Sequence, residues 1–179
     1  MTMKPGLRKL ALSAHLTFSV GWIGTIVAYL ALGLLAANSS DAGNVRGAWM
    51  AMELIGWYVI VPLAVASSLT GVVMALGTKW GLFRHYWVSI SFFLTLFATV
   101  VLILHMPSVS STAQIARTAE EEVLDSLGGD LHHPAVGLVI LLGVQVLNLY
   151  KPKGLTRYGW RKQQEESARS DAGSGGSSL

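Results

Sequence analysis

Residues 84–107 read RHYWVSISFFLTLFATVVLILHMP, and no Asp, Glu, Lys or Arg stands between Arg84 and Arg117. At 1.5 Å per residue, the chain from His85 to His105 measures about 30 Å as a helix, roughly the thickness of a bilayer's hydrocarbon core. The stretch therefore reads as a membrane-spanning helix with a histidine at each mouth. Trp80, Tyr86 and Trp87 cluster where an aromatic belt meets the headgroups, and Pro107 is expected to stop the helix on the far side.

The whole chain fits that reading. Of 179 residues, 52% are hydrophobic and only 13% are charged, with the apolar residues in long uninterrupted runs. That is the profile of a polytopic membrane protein. There is no cysteine, which excludes disulfides, thiolate metal sites and CxxC redox motifs. Any metal or haem has to be held by His, Met or a carboxylate. A net charge of +3 does not indicate nucleic acid, because the basic residues flank the apolar runs and report membrane orientation instead.

In chain order, a basic start (Lys4, Arg8, Lys9) leads into an uncharged run from Leu10 to Ala37. This run is too long for the apolar part of a signal peptide, so it is read as an uncleaved first span. Its residues His15, Ser19, Trp22, Ile26, Tyr29 and Gly33 recur at helical spacing and define an inward face. Gly21, Gly24, Thr25 and Ala28 are expected to let a neighbouring helix approach. The second span, Trp49 to Leu76, carries one charge, Glu53, and a proline, Pro62, expected to kink it. Its stripe Glu53, Gly56, Ile60, Ala64, Ser67 and Gly71 forms a second interior face. After the third span, Ile115, Ala119, Val123 and Leu127 repeat every four residues, which predicts an amphipathic surface helix with an acidic patch (Glu120 to Glu122, Asp125). The fourth span begins at His132-His133-Pro134, and His133, Gly137, Leu141, Gln145 (or Val144) and Asn148 trace its polar face.

The predicted fold is all-α, a four-transmembrane-helix antiparallel bundle. Residues 1–150 form the transmembrane domain, with spans over about 10–36, 50–76, 85–106 and 133–150 and an extracytoplasmic helix over about 112–127. Residues 151–179 form a tail, first basic and then Ser/Gly-rich and disordered. Eleven of the thirteen basic residues lie in the amino terminus, the 77–84 connection and the tail. Both termini are therefore expected in the cytoplasm of a bacterial cell, with the protein in its plasma membrane.

Placed by depth, the polar residues form two layers. His15, His85, Gln145 and Asn148 lie toward the cytoplasmic side. Glu53, His105, His132 and His133 lie toward the other. Ionisable residues in a membrane are costly and raise functional suspicion. His15 and His85 are candidate ligands of a b-type haem, and Glu53, His105 and His133 are candidate ligands of iron, zinc or copper. The ordinary alternatives are a hydrated boundary histidine, a His15 hydrogen-bonded within the bundle, and a Glu53 that is neutral or paired. No nucleophile elbow, phosphate loop, HExxH or paired catalytic carboxylates occur, so no enzyme class is assigned.

The segments RKLALSAHLTFSVGWIG, AMELIGWYVIVPLAVASSLTG, ALGTKWGLFRHYWVSISFFLTLFATVVLILHM and YKPKGLTRYGWRK resemble an uncharacterised bacterial family of small four-helix integral membrane proteins. The WGLFRHYWV and YKPKGLTRYG stretches are its most specific parts. The resemblance implies four spans and no known activity. His15, Trp22 and Gly24 are more distantly similar to the H…W-x-G pattern of CopD-type copper-resistance membrane proteins and of four-helix membrane protoporphyrinogen oxidases. No span carries a central Lys or Arg, so no catalytic residue is carried across. Three functional classes are open from sequence: a haem- or metal-binding membrane protein, a non-enzymatic accessory or scaffold subunit of a membrane complex, and an oligomeric small-solute transporter. The expected partners are the lipid bilayer and a membrane protein or a second copy of the chain.

Overall fold

The computed structural model describes residues 3–77, 81–152 and 154–174, and their regular structure is helical. The helices are α1 (Pro5–Asn38), α2 (Ala42–Ile55), a π-helical turn (Gly56–Ile60), α3 (Val61–Gly77), α4 (Tyr86–Thr118), α5 (Glu121–Leu127), α6 (His132–Tyr150) and α7 (Arg157–Ser174). Four segments are long and apolar enough to cross a membrane: α1, the continuous α2–α3 run, α4 and α6. Lys79, Trp80 and Lys153, together with residues 175–179 of the Ser/Gly-rich end, lie outside the described residues, as does the side chain of Asp125.

These four segments close a ring. α1 lies against α2–α3 on one side and α6 on the other, and α4 likewise touches α2, α3 and α6 from the opposite corner. The inward face of α1 is the one its spacing predicts, with Trp22, Ile26, Tyr29 and Gly33 buried. The second stripe behaves the same way: Gly56, Ile60, Ala64 and Ser67 are buried. The small residues of α1 divide: Gly21 faces α3, where an added Cβ would stand 3.6 Å from the Leu63 side chain. Gly24 and Ala28 are exposed, and a Cβ on Gly24 would meet nothing within 4 Å. Close helix approach falls instead at Gly56, where an added Cβ would collide with Met106.

Pro62 acts through the π-turn that precedes it. A proline lacks the N–H that would bond four residues back, and its ring crowds that carbonyl. The chain widens by one residue over Gly56–Ile60, and the N–H of Val61 reaches the carbonyl of Gly56.

Pro107 does not end α4. The helix continues to Thr118, and its extension buries Met106, Val109, Ala113 and Ala116 at spacings of three and four. This apolar face packs along α2, whose buried residues are Val45, Ala48, Trp49 and Met52, and such burial outweighs one lost backbone bond. The single amphipathic helix expected over 112–127 is accordingly two pieces. Ala119 and Glu120 take extended conformations between α4 and α5, and Ile115, assigned to its apolar face, is 48% exposed.

The tail is also more ordered than its composition predicts as far as Ser174, because α7 is docked on the 81–86 loop. Thr156 donates its N–H to the carbonyl of Arg84 (3.1 Å) and its hydroxyl to that of Phe83 (2.5 Å). It also accepts from the N–H of Gly159 (3.0 Å), capping the helix. The Arg84 guanidinium pairs with Glu166 at 2.6 Å and holds that carboxyl below its usual range. The stretches WGLFRHYWV and YKPKGLTRYG thus touch each other.

Candidate functional site

The loop Gly128-Gly129-Asp130 lies against the late part of α1, at Gly33. Gly128 ends α5 with φ 59° and ψ −155°, a conformation open essentially to glycine alone. Its carbonyl accepts the Trp49 indole N–H at 3.1 Å. Gly129 and Gly33 then let the loop lie directly on α1. A Cβ on Gly129 would run into the Gly33 carbonyl, and one on Gly33 would stand 2.7 Å from the Asp130 carbonyl oxygen.

This loop delivers Asp130 into the bundle, where its side chain is 8% exposed. Oδ2 accepts the Tyr29 hydroxyl at 2.8 Å and lies 2.7 Å from His105 Nε2. Oδ1 lies 3.9 Å from His133 Nδ1. The His105 and His133 rings stack with centroids 3.9 Å apart and planes at 24°, and the ring of His132 meets His133 nearly edge-on. His105, Asp130 and His133 can each place one ligand atom within 4.8 Å of the others. Tyr29 is buried, only 8% of the Asp130 side chain is exposed and His133 is half exposed, so the cluster has a closed floor and one open side.

Of the predicted metal ligands, the structure brings His105 and His133 together and leaves Glu53 elsewhere. Glu53 is paired with Arg117 Nη2 at 2.7 Å. The cause is the continuation of α4 beyond Pro107, which carries Arg117 alongside α2. Arg46, also on α2, donates to the carbonyls of Arg117 (3.2 Å) and Ala119 (2.9 Å) and so caps the same helix end. Asp130 takes the carboxylate's place. By sequence Asp130 is one more acidic residue of the loop before the fourth span, and Tyr29 only part of a helix stripe. The available signal was the compact string GGDLHH, in which two glycines free the loop to fold back and an Asp precedes His133 by three residues.

The predicted haem pair is not gathered into one pocket. His15 lines a cavity of about 320 Å³ between α1, α3, α4 and α6, and it is the one histidine among the lining residues. His85 is the N-cap residue of α4, its backbone bridged to Leu155 and its ring 6.4 Å from that of Trp87.

In comparisons with known proteins, no protein family, no curated protein and no solved structure matches the chain.

Proposed function

We propose that the chain is a bacterial plasma-membrane protein that holds a divalent transition metal through His105, His133 and Asp130. The observation that carries this reading is the convergence of two imidazoles and one carboxylate within 4.8 Å. This donor set suits iron, zinc or copper better than magnesium or calcium, which prefer all-oxygen sites. Tyr29, bonded to Asp130 Oδ2, would act as the orienting partner that metal-binding carboxylates usually have. His105 Nε2 and Asp130 Oδ2 are hydrogen-bonded across 2.7 Å, a contact that a cation held between them would replace. A bound metal of this kind supplies Lewis acidity or a redox centre, with the open side at His133 as the approach.

The same proposal includes an antiparallel bundle with both termini in the cytoplasm. It is supported by the distribution of the basic residues and by helix pairings. His15 and Ser19 near the start of α1 meet Thr70 and Ser67 late in the second span, while Tyr29, further along α1, meets the loop before α6. The metal cluster then faces the extracytoplasmic side. Because the chain has no cysteine, single cysteines introduced at Ser40 and Ser167 test this cleanly in whole cells. A membrane-impermeant maleimide should label the first and not the second, and the reverse pattern overturns the orientation.

The metal reading is tested by titrating chelator-treated, detergent-purified protein with Co²⁺ and following the ligand-field bands. One equivalent is expected to bind. His105→Ala and His133→Ala should each weaken binding by more than the roughly 10–100-fold typical of losing a supporting partner. Glu53→Gln should change it by less than about twofold, since that exposed ion pair sits apart from the cluster. Wild-type protein that takes up no Co²⁺, or a Glu53→Gln variant that loses it, refutes the assignment.

A further inference from the structure

The cavity at the other end of the bundle has a chemistry of its own. Among the described residues, two buried side-chain polar atoms lack a hydrogen-bond partner, Trp22 Nε1 and Ser91 Oγ. Ser91 is 6% exposed and lines this cavity. A buried hydroxyl without a partner costs roughly 1–3 kcal/mol, so one kept on a cavity wall marks a place where a ligand's acceptor completes the site.

His15 supplies the complementary function. The Thr70 hydroxyl donates its single hydrogen to the helix carbonyl of Ala66, at 2.7 Å, so toward His15 it can only accept. With that hydroxyl engaged, the 3.1 Å contact between His15 Nδ1 and Thr70 Oγ1 suits the tautomer protonated on Nδ1. In the neutral ring Nε2 is then an acceptor. The cavity thus has a vacant donor on α4 and an acceptor on α1, with the aromatic rings of Trp87 and Phe92 also in its wall.

Its mouth faces lipid. Leu12, Leu16, Leu96 and Leu149 line the cavity and are themselves 41–76% exposed on the membrane-facing surface. A volume of about 320 Å³ lies at the small end of the range for ligand pockets, which suits a one- or two-ring head better than a porphyrin. We propose that this cavity binds the head of a lipid-soluble quinol or quinone, with Ser91 donating to a ring oxygen and His15 Nε2 accepting from a quinol hydroxyl. This site is separate from the metal cluster and does not depend on it.

The test uses the full chain in detergent, with a decyl-tailed benzoquinone and its reduced quinol as probes and quenching of tryptophan fluorescence as the readout. Both probes should saturate at one per chain. Ser91→Ala should weaken both by about three- to tenfold, the loss of one hydrogen bond. Ser91→Leu, which fills the cavity, should abolish binding. His15→Leu should weaken the quinol more than the quinone, a preference that a purely structural histidine would not alter. If His15→Leu fails to fold, Gly71→Ala serves instead. Its Cβ would press on His15 Cε1 at 3.3 Å, and quinol binding should again fall. Absence of saturation, displacement of the probe by one equivalent of phospholipid, or folded Ser91 and His15 or Gly71 variants that bind like wild type would each overturn the proposal. His105→Ala should leave quinol binding unchanged, so the two sites fail or survive independently.

Discussion

Asp130→Ala is expected to abolish Co²⁺ binding and also to destabilise the fold by about 2–4 kcal/mol, the cost of leaving two buried hydrogen-bonding groups without their partner at roughly 1–3 kcal/mol each. The two effects share one cause. Asp130 is the acceptor for the Tyr29 hydroxyl and the partner of His105 Nε2, and Tyr29 is 3% exposed, so truncation takes the acceptor from a buried hydroxyl. Asp130→Asn separates the effects. The amide oxygen still accepts from Tyr29, so the stability loss should fall to about 1 kcal/mol, the scale of one altered hydrogen bond. The lost negative charge should still remove most metal affinity. Thermal unfolding and Co²⁺ titration of both variants in one detergent check this. Equal stability loss in the two would show that Tyr29 is not held by this oxygen, and wild-type Co²⁺ binding in either would remove Asp130 from the ligand set.

Hydropathy made the four spans legible, because a bilayer demands long apolar helices and leaves an unmistakable run of uncharged residues. The inward faces of α1 and α2–α3 were also legible, since helical periodicity is a local property. The path after Pro107 was not. A proline in an apolar run reads as a stop, yet Met106, Val109, Ala113 and Ala116 bury against α2 strongly enough to carry the helix through. The competing repeat that begins at Ile115 is just as regular on paper. Only the position of α2 decides between them, and that is a tertiary fact. The error moved the carboxylate as well. With α4 stopped at Pro107, Glu53 has no visible counter-ion and resembles a ligand. With α4 extended, Arg117 neutralises it.

The histidines divide along the same line. By sequence His105 and His133 stand in one layer, and their rings stack 3.9 Å apart, but which carboxylate reaches them depends on a loop folding back onto a helix. That step rests on three glycines, and Gly129 gives the sharpest test of it. Gly129→Ala would place a methyl group against the Gly33 carbonyl and 3.1 Å from the Ala37 Cβ, and both of those neighbours belong to the rigid α1. The loop must therefore lift. Lifting breaks the Tyr29–Asp130 and Trp49–Gly128 hydrogen bonds together, so a loss of about 2–4 kcal/mol is expected from overpacking and the stranded donors. Co²⁺ affinity should drop although no ligand has been changed. Gly137→Ala on α6 is the matched control. A Cβ there meets nothing within 4 Å, and alanine in a helix is favoured over glycine by up to about 1 kcal/mol. Unfolding and Co²⁺ titrations should therefore show one glycine variant crippled and the other unharmed or slightly stabilised. If Gly129→Ala instead behaves like Gly137→Ala, the loop does not rest on α1, and the geometry that brings Asp130 to the two histidines fails with it.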